Sequence, residues 1–211
     1  MQMKKFLPLM CFVIACFLIF AWLEGCNRSE TEPLAKLKSV QGMVEARDTL
    51  AGTFASAKEN QSINEGGAAR TGKASSVRIV FADGSDAFVK SEAYFEVGKN
   101  YPLAVQDQGM VIYQFKKQKQ EIKIKTPHGV TAVLGTTFLL DVTPEGTRLV
   151  LNKGKVSFTD PTGKESVVLE PGQSIFAKKG APLGKPIPVD PMERESMFKG
   201  VTPNDAAINR Q

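Results

Sequence analysis

The chain has 211 residues, of which 42% are hydrophobic and 23% charged, and its formal net charge is +5. This balance excludes a disordered chain and leaves room for one or two domains. The positive excess is modest: it suits anionic lipid headgroups or acidic wall polymers and argues little for nucleic acid, which export of the chain excludes as a partner.

Residues 1–26, "MQMKKFLPLMCFVIACFLIFAWLEGC", follow a different rule from the rest. Lys4 and Lys5 precede an uncharged apolar run from Phe6 to Trp22. That pattern predicts an N-terminal hydrophobic signal or membrane-anchor helix, with the lysines holding the N-terminus inside and the body of the chain exported. Leu23 and Gly25 stand before Cys26 at the spacing of a bacterial lipobox, so Cys26 is the expected lipid-attachment residue. Glu24 departs from that pattern, and the run is near the short limit for a spanning helix. An uncleaved anchor and a plain secretory signal therefore stay open as alternatives. The three cysteines, Cys11, Cys16 and Cys26, all fall in this segment, so the exported domain is expected to hold no disulfide.

Residues 27–39 are polar, carry mixed charge and contain Pro33, which reads as a tether. The folded body is expected from Val40 to Gly180, with residues 181–211 as a C-terminal tail. Within the body, short runs rich in Val, Ile, Phe and Thr recur between glycines, the pattern of an all-β domain. The clearest are "SVRIVF" (76–81), "AYFEV" (93–97), "MVIYQF" (110–115), "EIKIK" (121–125), "TTFLLDV" (136–142), "TRLVL" (147–151), "KVSF" (155–158), "SVVL" (166–169) and "QSIFA" (173–177). "EIKIK" alternates as a half-buried strand does, whereas "TTFLLDV" is apolar on both faces and predicts a central strand covered on both sides. "TFASAKEN" near residue 53 is compatible with a helical turn or a connector.

"DGSD" (83–86) poses the sharpest chemical question, since two aspartates and a serine could begin a calcium loop. Such a loop needs six or more oxygen ligands, and Phe88 and Val89 stand where ligands are wanted. A tight turn accounts for the stretch better, with positive φ at Asp83 and Gly84. The alternation on either side favours an odd-length loop through Ser85, pairing Phe81 with Ala87 and Ile79 with Val89, or else a corner between stacked strands that do not pair directly.

Further along, His128 is the sole histidine, in "TPHGV", and reads as a turn residue because no paired serine or carboxylate is identifiable. "GTTF" (135–138) lacks the helix and lysine of a phosphate loop, so Gly135 is expected to permit close strand approach. "KKQK" (116–119) with Lys123 and Lys125 is the densest basic stretch, either a solvated hairpin loop or a patch for anionic lipid or wall polymer. Tyr94, Phe95, Tyr101 and Tyr113 read as core or strand residues before they read as a sugar platform. The Pro-rich tail contains "DPMERESMFKG" (190–200), a short helix capped by Asp190, with Pro191 first, Glu193 three after the cap and Gly200 past the end. Ile187, Val189, Met192, Met197 and Phe198 are its apolar contacts if it covers the strand stack, and its prolines are expected to keep it from pairing as a strand; the alternative is a free tail that serves as a partner-binding peptide.

In order along the chain, "VQGMVEA" (40–46), "INEGGAARTGKASSVRIVFADGS" (63–85), "IKTPHGVTAVLGTTFLLDV" (124–142), "VLNKGKVSFTD" and "LEPGQSIFA" resemble a FecR-type domain. The resemblance implies a periplasmic, mostly β domain, a solenoid-like or sandwich-like stack of short strands. In the family's name-giving regulator such a domain relays a signal from an outer-membrane receptor to a sigma factor. Here only "MQMKK" precedes the apolar run and about 30 residues follow Gly180, so the similarity is to the stand-alone FecR domain. The function expected is therefore a non-catalytic, membrane-anchored module of the bacterial envelope that binds a protein partner or transmits a signal. It is expected to use no cofactor or metal and no catalytic residues. The alternative is a carbohydrate-binding or wall-associated scaffold.

Overall fold

The computed structural model describes residues 32–98 and 103–201, and the segment from Pro33 onward forms one compact unit. The apolar N-terminal run, Cys26 and Tyr101 lie outside the described residues.

Folding begins inside the stretch read as a tether. Strand β1 spans Ala35–Gln41, and its Ala-Lys-Leu-Lys alternation buries Ala35 and Leu37 completely while Lys36 faces out. Then follow β2 (Val44–Arg47), β3 (Ala55–Ser56), β4 (Ser62–Ile63), β5 (Ala68–Thr71), β6 (Ser76–Phe81), β7 (Asp86–Val89) and β8 (Tyr94–Val97). The second half holds β9 (Leu103–Gln114), β10 (Ile122–Thr126), β11 (Gly129–Val133), β12 (Thr137–Thr143), β13 (Gly146–Lys153) and β14 (Val156–Thr159). The series ends with β15 (Ser166–Leu169), β16 (Gln173–Lys178), β17 (Ile187–Pro188) and one short helix, α1 (Pro191–Phe198). The domain is thus all-β with a C-terminal helix. "TFASAKEN" is not helical: it forms β3 and a turn, with the Ala57 N–H bonded to the Val44 carbonyl at 2.8 Å.

The strands form two layers that share β9. One layer runs β4-β1-β6-β7-β9-β12-β13-β16-β17, the other β3-β2-β5-β8-β9-β10-β11-β14-β15. The first half of β9 pairs with β8 and, in parallel, with β10; from Gly109 its second half pairs with β12 and β7. Gln106 secures this change of layer from a fully buried position. Its Nε2 donates to the carbonyls of Gly109 (2.7 Å) and Leu140 (3.2 Å), and its Oε1 accepts from the Tyr113 hydroxyl at 2.9 Å. Every polar atom of that amide is therefore used, which is what makes its burial tolerable.

Between the layers lies an apolar core, because alternate residues of each strand point inward. Its centre is aromatic: Tyr113 stacks on Phe115 and Phe138 at centroid distances of 5.5 and 5.0 Å, and Phe95 of the other layer meets Phe81 at 6.2 Å. Tyr113, Phe95 and Phe138 have no exposed surface, which removes Phe95 and Tyr113 from any sugar platform.

β12 is covered on both faces, as its composition demands. Phe138 and Leu140 enter the core, while Leu139 joins Ile112 and Val150 on the outer face beneath Val189, Phe198 and Val201 of the tail. The tail covers a sheet face and also adds a strand: β17 pairs with β16, Ile187 opposite Ser174 and Pro188 opposite Gln173. This differs from the expectation that prolines would prevent pairing, and edge position is the reason, since Pro188 has no neighbour beyond it to which a missing N–H matters. Of the five expected contacts, Val189 and Phe198 are buried and Met197 is partly buried, whereas Ile187 and Met192 are exposed. Helix α1 carries the expected cap, with Asp190 accepting from the Met192 and Glu193 N–H groups. The Glu193 side chain pairs with Arg148 at 2.9 Å instead of closing a reciprocal box.

Candidate functional site

The "DGSD" stretch is a turn whose three polar side chains are all hydrogen-bonded. Its loop is odd in length, Ala82 to Gly84: the Gly84 N–H donates to the Phe81 carbonyl and the Phe81 N–H to the Ser85 carbonyl, both at 2.9 Å. Ile79 faces Ala87 and Val77 faces Val89, so the apolar face is the expected one, but the register is shifted by two residues from the expected pairs, and Ser85 lies opposite Phe81 outside the loop. Only Gly84 has positive φ, +77°; Asp83 does not share it. Glycine supplies that conformation without steric cost, as a three-residue loop with a left-handed last position requires.

Each polar residue of the turn reaches a different part of the fold. Asp83 Oδ1 accepts from the Ser85 N–H at 2.8 Å, and Asp83 Oδ2 from Gln118 Nε2 at 2.6 Å. The buried Ser85 hydroxyl accepts from the Lys116 N–H at 3.1 Å. Asp86, the first residue of β7, accepts two bonds from Arg78, from Nε at 3.0 Å and Nη2 at 2.9 Å. The stretch is therefore an organiser of the lysine segment 116–119 and not a ligand set. Among the described residues no group of three His, Cys, Asp or Glu side chains is arranged for a metal.

The lysine segment is held on its other side by the "GTTF" stretch. The Phe115 N–H donates to the Thr136 carbonyl (2.9 Å) and the Gln118 N–H to the Leu134 carbonyl (2.6 Å). Gly135 permits this approach, since a Cβ there would lie 2.7 Å from the Lys117 Cα. The result is a groove of about 880 Å³ on the outer side of the first layer. Phe88 and Val201 supply apolar surface, Arg78 and Asp86 one wall, and Lys116, Lys117 and Lys153 the cationic rim. Lys123 and Lys125, grouped with these lysines by sequence, alternate outward from β10 in the other layer and do not belong to the groove. Sequence reasoning missed Arg78, Phe88 and Lys153. The alternation of "SVRIVF" could have placed Arg78 outside, but no local signal brings Lys153 to Lys116.

His128 lies at the opposite end of the strands and is buried. Its Nδ1 is 3.0 Å from the Thr147 hydroxyl, which donates to Thr126 Oγ1 at 3.1 Å, and Thr126 in turn donates to the Gly129 carbonyl at 3.2 Å. Donation from Thr147 to Thr126 leaves the Thr147 oxygen to accept, which favours the tautomer protonated at Nδ1. Burial lowers the pKa of His128, and the Lys179 charge lowers it further against a smaller opposing effect from Glu145. The chain of hydroxyls ends on a backbone carbonyl, and among the described residues no serine or carboxylate bonds the ring. That arrangement fixes a loop and offers no base for a nucleophile. A shallow cleft of about 750 Å³ beside His128 also contains Asp107 and Asp141. Burial raises the Asp141 pKa, with the Arg148 charge opposing the shift.

Two β layers thus enclose an aromatic core, and a lysine-rimmed groove opens on the outer side of the first layer. Residues 67–157 match the family model described as FecR protein, so the resemblance carried by the sequence motifs is shown for that segment. Two crystal structures from Parabacteroides distasonis, each described as "a putative anti-sigma factor", share the fold with a TM-score of 0.54. One is 13% identical, with 63% of this chain and 65% of that chain aligned; the other is 14% identical, with 67% and 71% aligned. The match thus spans a little under two thirds of the first of these proteins. No curated protein sequence matches the chain.

Proposed function

We propose that the chain is a non-catalytic signal-transduction module of the bacterial envelope, anchored through Cys26 or the apolar run before it and facing the periplasm. The match of residues 67–157 to the FecR family carries this reading. Likeness in fold to proteins described as anti-sigma factors supports it and suggests a partner in a sigma-factor pathway. From β10 onward strand pairs alternate between the layers, β10–β11 and β14–β15 in one, β12–β13 and β16–β17 in the other, which supports reading the domain as a solenoid-like stack. A wall-scaffold role gains less support, because Phe95 and Tyr113, two of the four aromatic residues considered for a sugar platform, are buried in the core.

The test is formaldehyde cross-linking in intact cells, followed by affinity capture of the full chain and by transcript profiling of a deletion strain. The signalling reading expects one captured envelope or regulatory protein and altered expression of a coherent set of promoters. Capture of wall polymer with unchanged transcription would replace it with the scaffold.

A further inference from the structure

We infer that the groove beside the "DGSD" turn is the docking site for an acidic, apolar-containing segment of a partner protein. The inference rests on the reading of the domain as a protein-interaction module and names the surface and chemistry that module uses.

The outer face of the first layer carries one apolar row, set by strand register: Phe88 opposite Ile112, Ile112 opposite Leu139, Leu139 opposite Val150. The tail covers one end of this row, with Val189, Phe198 and Val201 over Ile112, Leu139 and Val150. Among the described residues Val201 is the last of the tail and forms a border of the groove, and Phe88 is half-buried beside it. A segment lying in the groove would continue what the tail begins, placing an apolar side chain on Phe88.

Charge selects the kind of segment. Arg78 is neutralised by Asp86 and lies 5.3 Å over the Phe88 ring, so it is a fixed wall. The ammonium groups of Lys116, Lys117 and Lys153 have no carboxylate within 4 Å among the described residues. Three unmatched cations around an apolar floor fit carboxylates flanking an apolar residue. A bare anion would leave Phe88 unused, which is why a peptide is favoured over phosphate or lipid headgroups. Lys116 and Lys117 are also positioned: Ser85, Asp83 through Gln118, and the Leu134 and Thr136 carbonyls all bind their segment, which reduces the ordering cost of docking.

The probe is a fluorescein-labelled peptide of alternating aspartate and leucine, titrated by anisotropy against the full chain in neutral detergent. Two control peptides replace every aspartate by asparagine or every leucine by serine. The proposal expects the parent peptide to bind about tenfold tighter than either control and to weaken as salt rises. Combining Lys116→Glu, Lys117→Glu and Lys153→Glu should weaken it at least about tenfold, as loss of three partly screened ion pairs would. Lys123→Glu, Lys125→Glu and Lys164→Glu change net charge equally, lie elsewhere on the surface and should leave binding unchanged. The proposal is overturned if both triple variants behave alike, or if the serine control binds as well as the parent. It is equally overturned if anionic vesicles, but not the peptide, bind through the groove lysines, or if those lysines hold a second copy of the chain in sedimentation. Peptide binding without any envelope partner captured in cells would leave the groove standing and sink the signalling reading. Capture that survives the groove reversals would do the opposite.

Discussion

Arg78 holds Asp86 by two parallel hydrogen bonds across the β6–β7 hairpin, one from Nε at 3.0 Å and one from Nη2 at 2.9 Å. The aspartate that sequence reading placed in a polar turn is therefore a strand residue with a fixed partner. Its side chain is only 10% exposed, against 39% for Arg78. A pair this asymmetric retains part of its strength, because solvent screens the arginine more than the carboxylate.

Asp86→Asn is expected to lower stability by about 1 kcal/mol, since it removes charge assistance while keeping shape. Urea midpoints of Asp86→Asn, Arg78→Gln and the double variant measure the coupling; a midpoint equal to that of the parent shows that the pair contributes nothing.

The two glycines that frame the groove should respond differently to alanine. At Gly84 the added Cβ has positive φ to overcome but meets only the flexible end of Lys116. Gly84→Ala should therefore cost about 1 kcal/mol. At Gly135 the Cβ would meet the Lys117 backbone, Cα at 2.7 Å and N at 3.0 Å, so strands or segment must move. Gly135→Ala should be the more damaging and should also weaken binding in the groove. Equal melting temperatures for the two variants would contradict this. Calcium should alter neither variant nor the parent.

Much of this fold was legible because strand periodicity is local. "SVRIVF" and "SVVL" form β6 and β15 at their expected limits, and both faces of "TTFLLDV" are covered. Where the reading fell short, a long-range interaction decided. Lys36 and Lys38 disguised β1, whose Leu37 is buried only because β6 lies beside it. Pro188 disguised β17, and β9 was read as half its length because its first part belongs to the other layer. The groove was the least legible feature: Lys116 and Lys153 are distant in sequence, and "DGSD" signalled a turn without showing what the turn holds.

The tail prediction follows from the covered apolar row. Truncation after Gly180 removes β17 and α1 and exposes Ile112, Leu139 and Val150, so the domain should melt earlier and aggregate. Phe198→Ala tests the same contact more gently. At 3% exposure it should cost about 3 kcal/mol. Met192 is 81% exposed, and Met192→Ala should stay within about 0.5 kcal/mol of the parent. Denaturant titration that ranks the two variants equally would show that the tail does not pack on the sheet.

His128 gives stability a pH dependence of defined sign. Its folded pKa lies below the ordinary 6.5, so the unfolded chain binds the proton more readily. The contribution is full above pH 6.5 and is lost as pH falls through the depressed folded value. Urea midpoints should therefore decline from pH 7.5 to pH 5. Asparagine can donate to Thr147 as Nδ1 does without titrating, so His128→Asn should flatten that decline. Asp141 acts in the opposite sense: its raised pKa means that its contribution is present below 3.8 and is lost as pH rises through the folded value. Asp141→Asn should consequently be neutral or stabilising at pH 7. An unchanged slope in His128→Asn would assign the pH response to other groups.

Anchoring at Cys26 would hold the domain close to its membrane. Eight residues separate Cys26 from Ala35, where β1 begins, and even fully extended they reach at most about 30 Å. With β1 starting at Ala35, such a tether would be shorter than the 27–39 that composition suggested. Cys26→Ser should abolish fatty-acid labelling and leave a larger, unprocessed precursor. The acidic probe should still bind that variant, because its groove is unaltered. If the parent chain incorporates no fatty acid, the apolar run is the anchor, and Cys26→Ser should then leave both fractionation and size unchanged. Extending residues 27–34 with a flexible glycine-serine insert separates anchoring from reach: folding should be unaffected, while signalling should change only if the partner is met at a fixed height.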